Sequence, residues 1–169
     1  MVTRQQAWKY GKEWEDVMMK IHQDYFKGEI KKASRKEDMF NHIDFWWRKD
    51  SDSPWISYDI KALKRARRST GPLDGTIHWI EVLNVRGNPG WIYGKEDFVI
   101  FATEETAIYV QTKKLPPYIE AKIKGKELVY DTPYDFYIPY RRNGSRDIIV
   151  KVPTSDLRKL ADFEIKLKI

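Results

Sequence analysis

The segment from 55 to 61 reads Trp55-Ile-Ser-Tyr-Asp-Ile-Lys61 and alternates apolar with polar residues, which is the pattern of a β-strand. Successive side chains of a strand point to opposite faces. Asp59 and Lys61 therefore share one face, and the apolar residues Ile56, Tyr58 and Ile60 share the other. The segment predicts a strand that carries an anion and a cation side by side.

A second strand is predicted upstream, from His42 to Trp47, and it contains a single acid, Asp44. The residues at 49–54 are rich in Asp and Ser and favour a turn, so the two strands are expected to form an antiparallel hairpin. Asp44 and Asp59 would then meet near its open end. Two carboxylates and a backbone carbonyl suffice to hold Mg²⁺ with several waters left on it. A metal with an ammonium beside it suits phosphodiester hydrolysis.

The order and spacing of Asp44, Asp59 and Lys61 resemble the PD-(D/E)XK nuclease superfamily, whose core motif is an acid, a gap of about a hairpin, and acid-x-Lys. The resemblance implies that Asp44 bridges the metal, Asp59 ligates it and Lys61 assists the attacking water. It also implies that the Ile60 carbonyl completes the protein ligands. Ile43 stands where the motif has proline, and the second acid is Asp rather than Glu.

The implied fold is α+β, an α/β sandwich-like, restriction-endonuclease-like core in which an N-terminal helix precedes a mixed β-sheet with further helices. One nuclease-like domain over residues 1–169 is expected. Local patterns predict a helix at 3–26, strands at 76–84, 98–103, 106–112, 147–152 and 163–169, and short helices at 116–123 and 157–161. The polar residues 31–38 are expected to form a surface connection.

A further metal-site glutamate on the first helix is common in this superfamily, and archaeal Holliday-junction resolvases place it four residues after a glycine. Gly11 and Glu15 repeat that interval, so Glu15 is the first choice for a catalytic and metal-binding acid. Glu13 is nearly as good, because both acids lie at the edge of the apolar stripe. Either one can equally be an ordinary exposed helix carboxylate.

Four cations, Lys64, Arg65, Arg67 and Arg68, directly follow Lys61 and are expected to lie in a loop or frayed turn that contacts DNA. Contacts between such cations and phosphates contribute an affinity that falls with salt. The alternative is a solvated loop, which is the usual fate of a run of like charges.

Several other residues are weaker candidates. Glu81 is an additional catalytic acid, a counter-ion of the lysine, or an outward-facing strand residue. Trp91 and Tyr93 follow glycines and either stack on a base or belong to the local core. Asp97 is a further acid near the site, and His42 is expected to be a polar residue at the edge of a strand.

Composition agrees with a nucleic-acid partner. The 169 residues include 31 Lys and Arg against 25 Asp and Glu, which gives a net charge of +6 and a pI near 9.3. There is no cysteine, no apolar run that could cross a bilayer and no apolar signal-peptide core at the N-terminus, so a soluble intracellular protein with no membrane partner is expected. Phosphate-loop and nucleophile-elbow motifs are also absent.

Two functions follow from these observations. The first is an Mg²⁺- or Mn²⁺-dependent endo- or exodeoxyribonuclease, similar to small phage-type or Holliday-junction-resolvase-like members of the superfamily, acting as a viral protein in a host cell. A four-way junction as the substrate would require a homodimer. The second is a non-catalytic nucleic-acid-binding domain that uses the basic segment 61–68.

Overall fold

A computed structural model describes the chain at residues 4–67 and 70–167, with side chains described at 13–63 and 73–167. The helices are α1 (Arg4–Phe26), α2 (Arg35–Asn41), α3 (Leu115–Ile123) and α4 (Thr154–Leu160), with short 3₁₀ turns at Trp91–Tyr93 and Thr112–Lys114. The strands are β1 (Glu29–Lys32), β2 (Phe45–Arg48), β3 (Ile56–Lys61), β4 (Lys64–Arg67), β5 (Thr70–Asp74), β6 (Ile77–Leu83), β7 (Phe98–Ala102), β8 (Thr106–Gln111), β9 (Ile148–Pro153) and β10 (Phe163–Lys166).

Six strands form the main sheet, in the order β1-β2-β3-β7-β8-β10. Its pairs are antiparallel except β3 and β7, which run parallel. The pairs β4–β5 and β6–β9 form separate antiparallel two-stranded sheets. The prediction of an α+β fold with a first helix followed by a mixed sheet is confirmed at this level.

Helix α1 covers one face of the main sheet. Met18 is fully buried, with Trp14 and Ile21 beside it, because these residues recur at three- and four-residue intervals. They pack against the α1-facing residues of the strands, which include Phe45, Tyr58, Ile60, Ile100 and Tyr109. The face of β3 that carries Asp59 and Lys61 is therefore the one turned away from α1.

The opposite face of β7 and β8 is covered by a second layer built from α3, α4, β6 and β9. Its core contains Val99, Phe101, Ile108 and Val110 from the sheet, and Ile80, Leu115, Val150 and Leu157 from the covering elements. Among the described residues, this core includes none from β1, β2 or β3. The second layer thus covers only part of the sheet, and Asp59 lies beside its border.

The chain before Asp44 differs from the prediction. The expected surface connection at 31–38 instead contains the end of β1 and the start of α2, whose N-terminus has a capping box: the Glu37 N–H donates to Ser34 Oγ, and the Ser34 N–H to the Glu37 carboxylate. His42 ends this helix in a left-handed conformation, φ 57°. The predicted strand start at His42 is therefore wrong, and β2 begins at Phe45.

The basic segment also differs from the prediction. Residues 64–67 form strand β4 and pair with β5, rather than forming a loop or frayed turn. The predicted strand at 76–84 is confirmed as β6, the predicted helix at 116–123 as α3, and the predicted strand at 147–152 as β9. Helix α4 begins at Thr154 without a side-chain cap, because its N-cap residue is Pro153, which has no side-chain acceptor, and the Thr154 hydroxyl donates to the carbonyl of Gly75.

Within the described ranges, none of the helices combines the length and the hydropathy that a membrane-spanning helix needs.

Candidate active site

The β2–β3 hairpin places Asp44 beside Asp59. Phe45 pairs with Tyr58, so the preceding and following residues, Asp44 and Asp59, are neighbours across the two strands. The Asp44 N–H donates to the Tyr58 carbonyl at 2.8 Å, and the Asp44 Oδ2 accepts from the Ile60 N–H at 2.6 Å. Both carboxylates are buried, with 8% and 3% of their residue surfaces exposed. Two acids are thus held together away from water, where charge is costly.

Lys61 is the cation of this cluster. Its Nζ forms an ion pair with Asp59 Oδ2 at 2.7 Å. The same Nζ lies 4.6 Å from the centroid of the Trp91 ring, a cation–π contact. Burial lowers the pKa of Lys61, but the charges of Asp59 and Asp44 outweigh this and leave the pKa raised. The amine therefore stays protonated in this site.

Burial also acts on Asp44. It raises the pKa of Asp44 well above the usual value, and the neighbouring charge of Asp59 adds to the increase. Lys61 and the Ile60 N–H oppose this change only in part. The ionised form of Asp44 thus lacks enough positive charge among its neighbours. Ile60 pairs with Ile100 of β7, and the ligand role of its carbonyl stays a prediction.

Glu96 is a third buried carboxylate that the sequence analysis missed. It is 4% exposed, and neither carboxylate oxygen has a hydrogen-bond partner in another residue among the side chains described. Burial and then the charge of Asp59 raise the pKa of Glu96 to about 9, while Lys61 lowers it. Glu96 lies two residues before β7, which runs parallel to β3 and pairs Val99 with Asp59, and this pairing brings Glu96 within the electrostatic influence of Asp59.

Two neighbours fix the position of Glu96. The carboxylate lies against Gly94, where an added Cβ would overlap Glu96 Oε2. Asp97 fastens β7 to β3, because its Oδ2 accepts from the Ser57 N–H at 2.8 Å and from the Ser57 hydroxyl at 3.0 Å. The sequence places two acids, Glu96 and Asp97, just before an apolar strand, and only Asp97 was predicted to lie near the site. In the structure it is Glu96 that belongs to the cluster.

The other predicted acids lie in different places. Glu15 is half-buried on α1, and its charge contributes to the raised pKa of Asp44, whereas Glu13 is exposed. The structure thus brings Glu15 into the electrostatic environment of the cluster. Glu81 lies in β6 opposite Ile149, in a two-stranded sheet separate from the one that holds Asp59.

The predicted DNA contacts are described only in their backbone. Lys64, Arg65 and Arg67 lie in β4, directly after the strand of Lys61, and their side chains lie outside the described residues, as does all of Arg68.

Of the two alternatives for Trp91, membership of the local core is confirmed, because its ring is buried in the core of the second layer. The hydroxyl of the exposed Tyr93 donates to Glu120 at 2.7 Å. His42 is half-buried; burial and then the charge of Lys61 lower its pKa.

Comparison with known proteins adds no relative. No protein-family model, no curated protein and no solved structure matches the chain.

The side chains of this cluster have the chemistry that binds a hard divalent cation. Three carboxylates, Asp44, Asp59 and Glu96, and one ammonium, Lys61, carry a formal charge of −2 when all are ionised. Neither oxygen of Glu96 accepts a hydrogen bond from another described residue, and carboxylate oxygens are the ligands that Mg²⁺ and Mn²⁺ prefer. Among the described residues, no three acids or histidines already stand at the spacing of a formed metal site.

Proposed function

We propose that the protein is a divalent-metal-dependent nuclease that hydrolyses phosphodiester bonds of DNA. One observation carries this proposal: Asp44 and Asp59 are buried side by side with Lys61 against Asp59, and the buried Glu96 is close enough for the charges of Asp59 and Lys61 to shift its pKa. Burying several acids is unfavourable unless cations compensate them, and clusters of this kind concentrate at functional sites. The resemblance of the acid-x-Lys strand to PD-(D/E)XK nucleases and the net charge of +6 point to the same activity.

The three carboxylates would hold Mg²⁺ or Mn²⁺, with Glu15 close enough to contribute charge. When bound, the metal supplies a Lewis acid for the phosphate and an acidified water. The two acids of the hairpin are fixed by backbone geometry, because Asp44 accepts from the Ile60 N–H and Asp59 lies within β3. This rigidity favours a preorganised site.

The role of Lys61 follows from its protonation. Since the neighbouring acids raise its pKa, Lys61 stays an ammonium and has no lone pair with which to accept a proton from water. Its chemical contribution is therefore electrostatic: it neutralises charge that develops on the phosphate and orients the attacking water. Trp91 and Asp59 hold the amine in place for this purpose.

Cleavage of DNA by purified protein tests the proposal. Supercoiled and linear DNA would be incubated with Mg²⁺, with Mn²⁺ and with EDTA. Asp59→Asn and Asp44→Asn should abolish metal-dependent cleavage, whereas Asp52→Asn, at an exposed position in the turn of the same hairpin, should retain it. The proposal is wrong if wild-type protein cuts no more than Asp59→Asn with either metal.

The second candidate is a DNA-binding domain without catalysis, and the basic segment 61–68 favours it. In that case the protein binds DNA, neither metal supports cleavage, and Asp59→Asn keeps or strengthens binding because an anion has been removed near the phosphates.

A panel of forked, four-way, single-stranded and blunt substrates would identify the DNA that is cut. Cleavage of four-way junctions would require two opposed sites, hence a homodimer, which light scattering would detect. We propose that the protein acts inside the cell, because a chain without cysteine has no disulfides and is compatible with a reducing compartment.

A further inference from the structure

The main sheet continues beyond the acidic cluster into a surface that combines two tryptophans with two cations. In the cross-strand register, Lys31 pairs with Trp46 and Trp46 pairs with Ser57. Side chains alternate along each strand, so Trp46 shares a face with Asp44, and Ser57 with Asp59. Trp55 lies two residues before Ser57 and continues the same row.

The cations lie over the tryptophan rings. Lys31 Nζ is 4.2 Å from the ring centroid of Trp55 and 5.6 Å from that of Trp46. The Arg48 guanidinium is 4.5 Å from the Trp55 centroid and also pairs with Glu29 at 2.6 Å. Lys31, Trp46, Arg48 and Trp55 are called the aromatic platform below.

The platform lies outside the covered part of the sheet. Both tryptophans are only half-buried, and the core of the second layer includes no described residue of β1, β2 or β3. The ring of Trp46 is nevertheless held in one orientation, because its Nε1–H donates to Glu37 Oε1 at 3.1 Å and Glu37 is fixed by the capping box of α2. Rigid, partly exposed rings beside cations are features of surfaces that bind single strands.

The platform is also continuous with the acidic cluster. Two residues of a strand span about 7 Å, so Trp46 lies one such step from Asp44. Trp55 lies two steps, about 13 Å, from Asp59. A nucleotide stacked at Trp46 would thus adjoin a phosphate at the carboxylates, and further nucleotides would follow the row toward Trp55.

We propose that the aromatic platform binds unpaired nucleotides, and that the protein acts on DNA with a single-stranded segment next to the scissile phosphate. This inference rests on the proposed nuclease function and specifies its substrate. Unpaired bases expose faces that would stack on Trp46 and Trp55 in place of the Lys31 and Arg48 side chains, whereas the bases of a duplex are stacked on each other. Lys31 and Arg48 complement the phosphates of the same strand.

Binding in EDTA tests the platform without cleavage. The probes are a fluorescein-labelled single-stranded oligodeoxynucleotide and a blunt duplex of the same length, measured by fluorescence anisotropy. The variants are Trp55→Ala and Lys31→Gln, and circular dichroism checks their folding. Tyr134→Ala is the matched aromatic control, because Tyr134 is exposed and also lies against a lysine, Lys151. Lys32→Gln is the matched cation control, because Lys32 pairs with Asp16 of α1, on the other side of the sheet.

We expect wild-type protein to prefer the single strand. Trp55→Ala should weaken single-strand binding by at least about fivefold, which corresponds to the loss of one stacked base. Lys31→Gln should also weaken it and should lower the slope of log K against log salt by about 0.7. Both controls should bind as wild type does.

The inference is overturned if the duplex binds at least as tightly as the single strand, or if Trp55→Ala and Lys31→Gln bind the single strand as wild type does. Metal-dependent cleavage of duplex DNA alongside either result would leave the nuclease proposal standing. Conversely, platform-dependent single-strand binding without any cleavage would support the surface and overturn the nuclease proposal.

Discussion

Glu96 is the residue at which burial and charge conflict most directly. Its carboxylate is almost fully removed from water, lacks a hydrogen-bond partner in any other residue whose side chain is described, and lies close enough to Asp59 for that charge to raise its pKa. A side chain in this situation destabilises the fold unless a cation accompanies it. Stability measurements can therefore report on its role independently of cleavage.

Glu96→Gln should stabilise the metal-free protein. The substitution keeps the size of the side chain and removes a buried ionisable group, so the free energy of unfolding in EDTA near pH 8 should rise by about 1–3 kcal/mol. Urea denaturation measures this change. Glu105→Gln, at an exposed position, should leave the free energy of unfolding nearly unchanged.

Metal addition extends the same experiment. A ligand that binds only the folded state raises its stability, so Mn²⁺ should raise the melting temperature of wild-type protein more than that of Glu96→Gln. Equal increases in both proteins would show that Glu96 does not hold the metal.

Lys61→Met should destabilise the protein, because it leaves the buried Asp59 without its cation. Loss of one partner of a buried pair typically costs about 3–5 kcal/mol. The double variant Asp59→Asn/Lys61→Met should recover part of this loss in a double-mutant cycle measured by urea denaturation. Lys159→Met is the control, since Lys159 pairs with Asp156 at the surface, and it should cost less than about 1 kcal/mol. Equal losses in the two lysine variants would contradict the buried pair.

Helix α1 contacts the sheet through a buried histidine. His22 Nδ1 lies 3.0 Å from the Tyr109 hydroxyl, and aromatic rings of Phe26, Phe45 and Tyr58 surround the imidazole. Burial lowers the pKa of His22 to about 3, so the ring is neutral at physiological pH. The stability of the packing between α1 and the sheet therefore depends on pH.

The stability of the α1 contact should fall in acid. The pKa of His22 lies near 6.5 in the unfolded chain and near 3 in the folded one, so the unfolded state binds the proton first as pH falls. The stabilisation is full above about pH 6.5 and is lost progressively toward pH 3, with about 2 kcal/mol lost near pH 5. Urea denaturation of wild type and His22→Gln from about pH 7 to about pH 5 measures this slope. Identical slopes would contradict the prediction.

The elements that the sequence predicted well are those with a strong local pattern. Strand β3 alternates regularly and α1 carries an apolar stripe, so both were predicted. Strand β1 and helix α2 were missed because they are short and mostly polar, and α2 buries none of its residues. Strand β4 was missed because a run of cations is typical of a solvated loop.

The residues of the site also divide into those that a local sequence pattern predicts and those that it does not. Asp59 and Lys61 share a strand face by alternation alone, and Asp44 joins them through a short hairpin. Glu96 joins them only through the parallel pairing of β3 and β7, a long-range contact that no local pattern encodes. Sequence therefore predicted the hairpin acids and missed the third carboxylate.

At the scale of the whole molecule, the net charge of +6 is concentrated in part on the β4–β5 ribbon, which directly follows the strand of Lys61. If this ribbon contacts phosphates, Arg65→Gln should weaken DNA binding and lower the slope of log K against log salt by about 1. Lys124→Gln, at an exposed position after α3, should change neither quantity. Anisotropy titrations at several salt concentrations measure both, and an unchanged slope in Arg65→Gln would argue against the ribbon.

The parallel pairing of β3 with β7 also determines when the site can form during folding. The bonds from Ser57 to Asp97 join residues 40 positions apart, so a long loop must close before they are made. Asp44 and Asp59 already meet in the β2–β3 hairpin, whereas Glu96 joins them only when β7 docks. The burial of the third carboxylate therefore comes late in folding, and a divalent ion that bound only the docked site would slow unfolding rather than accelerate folding.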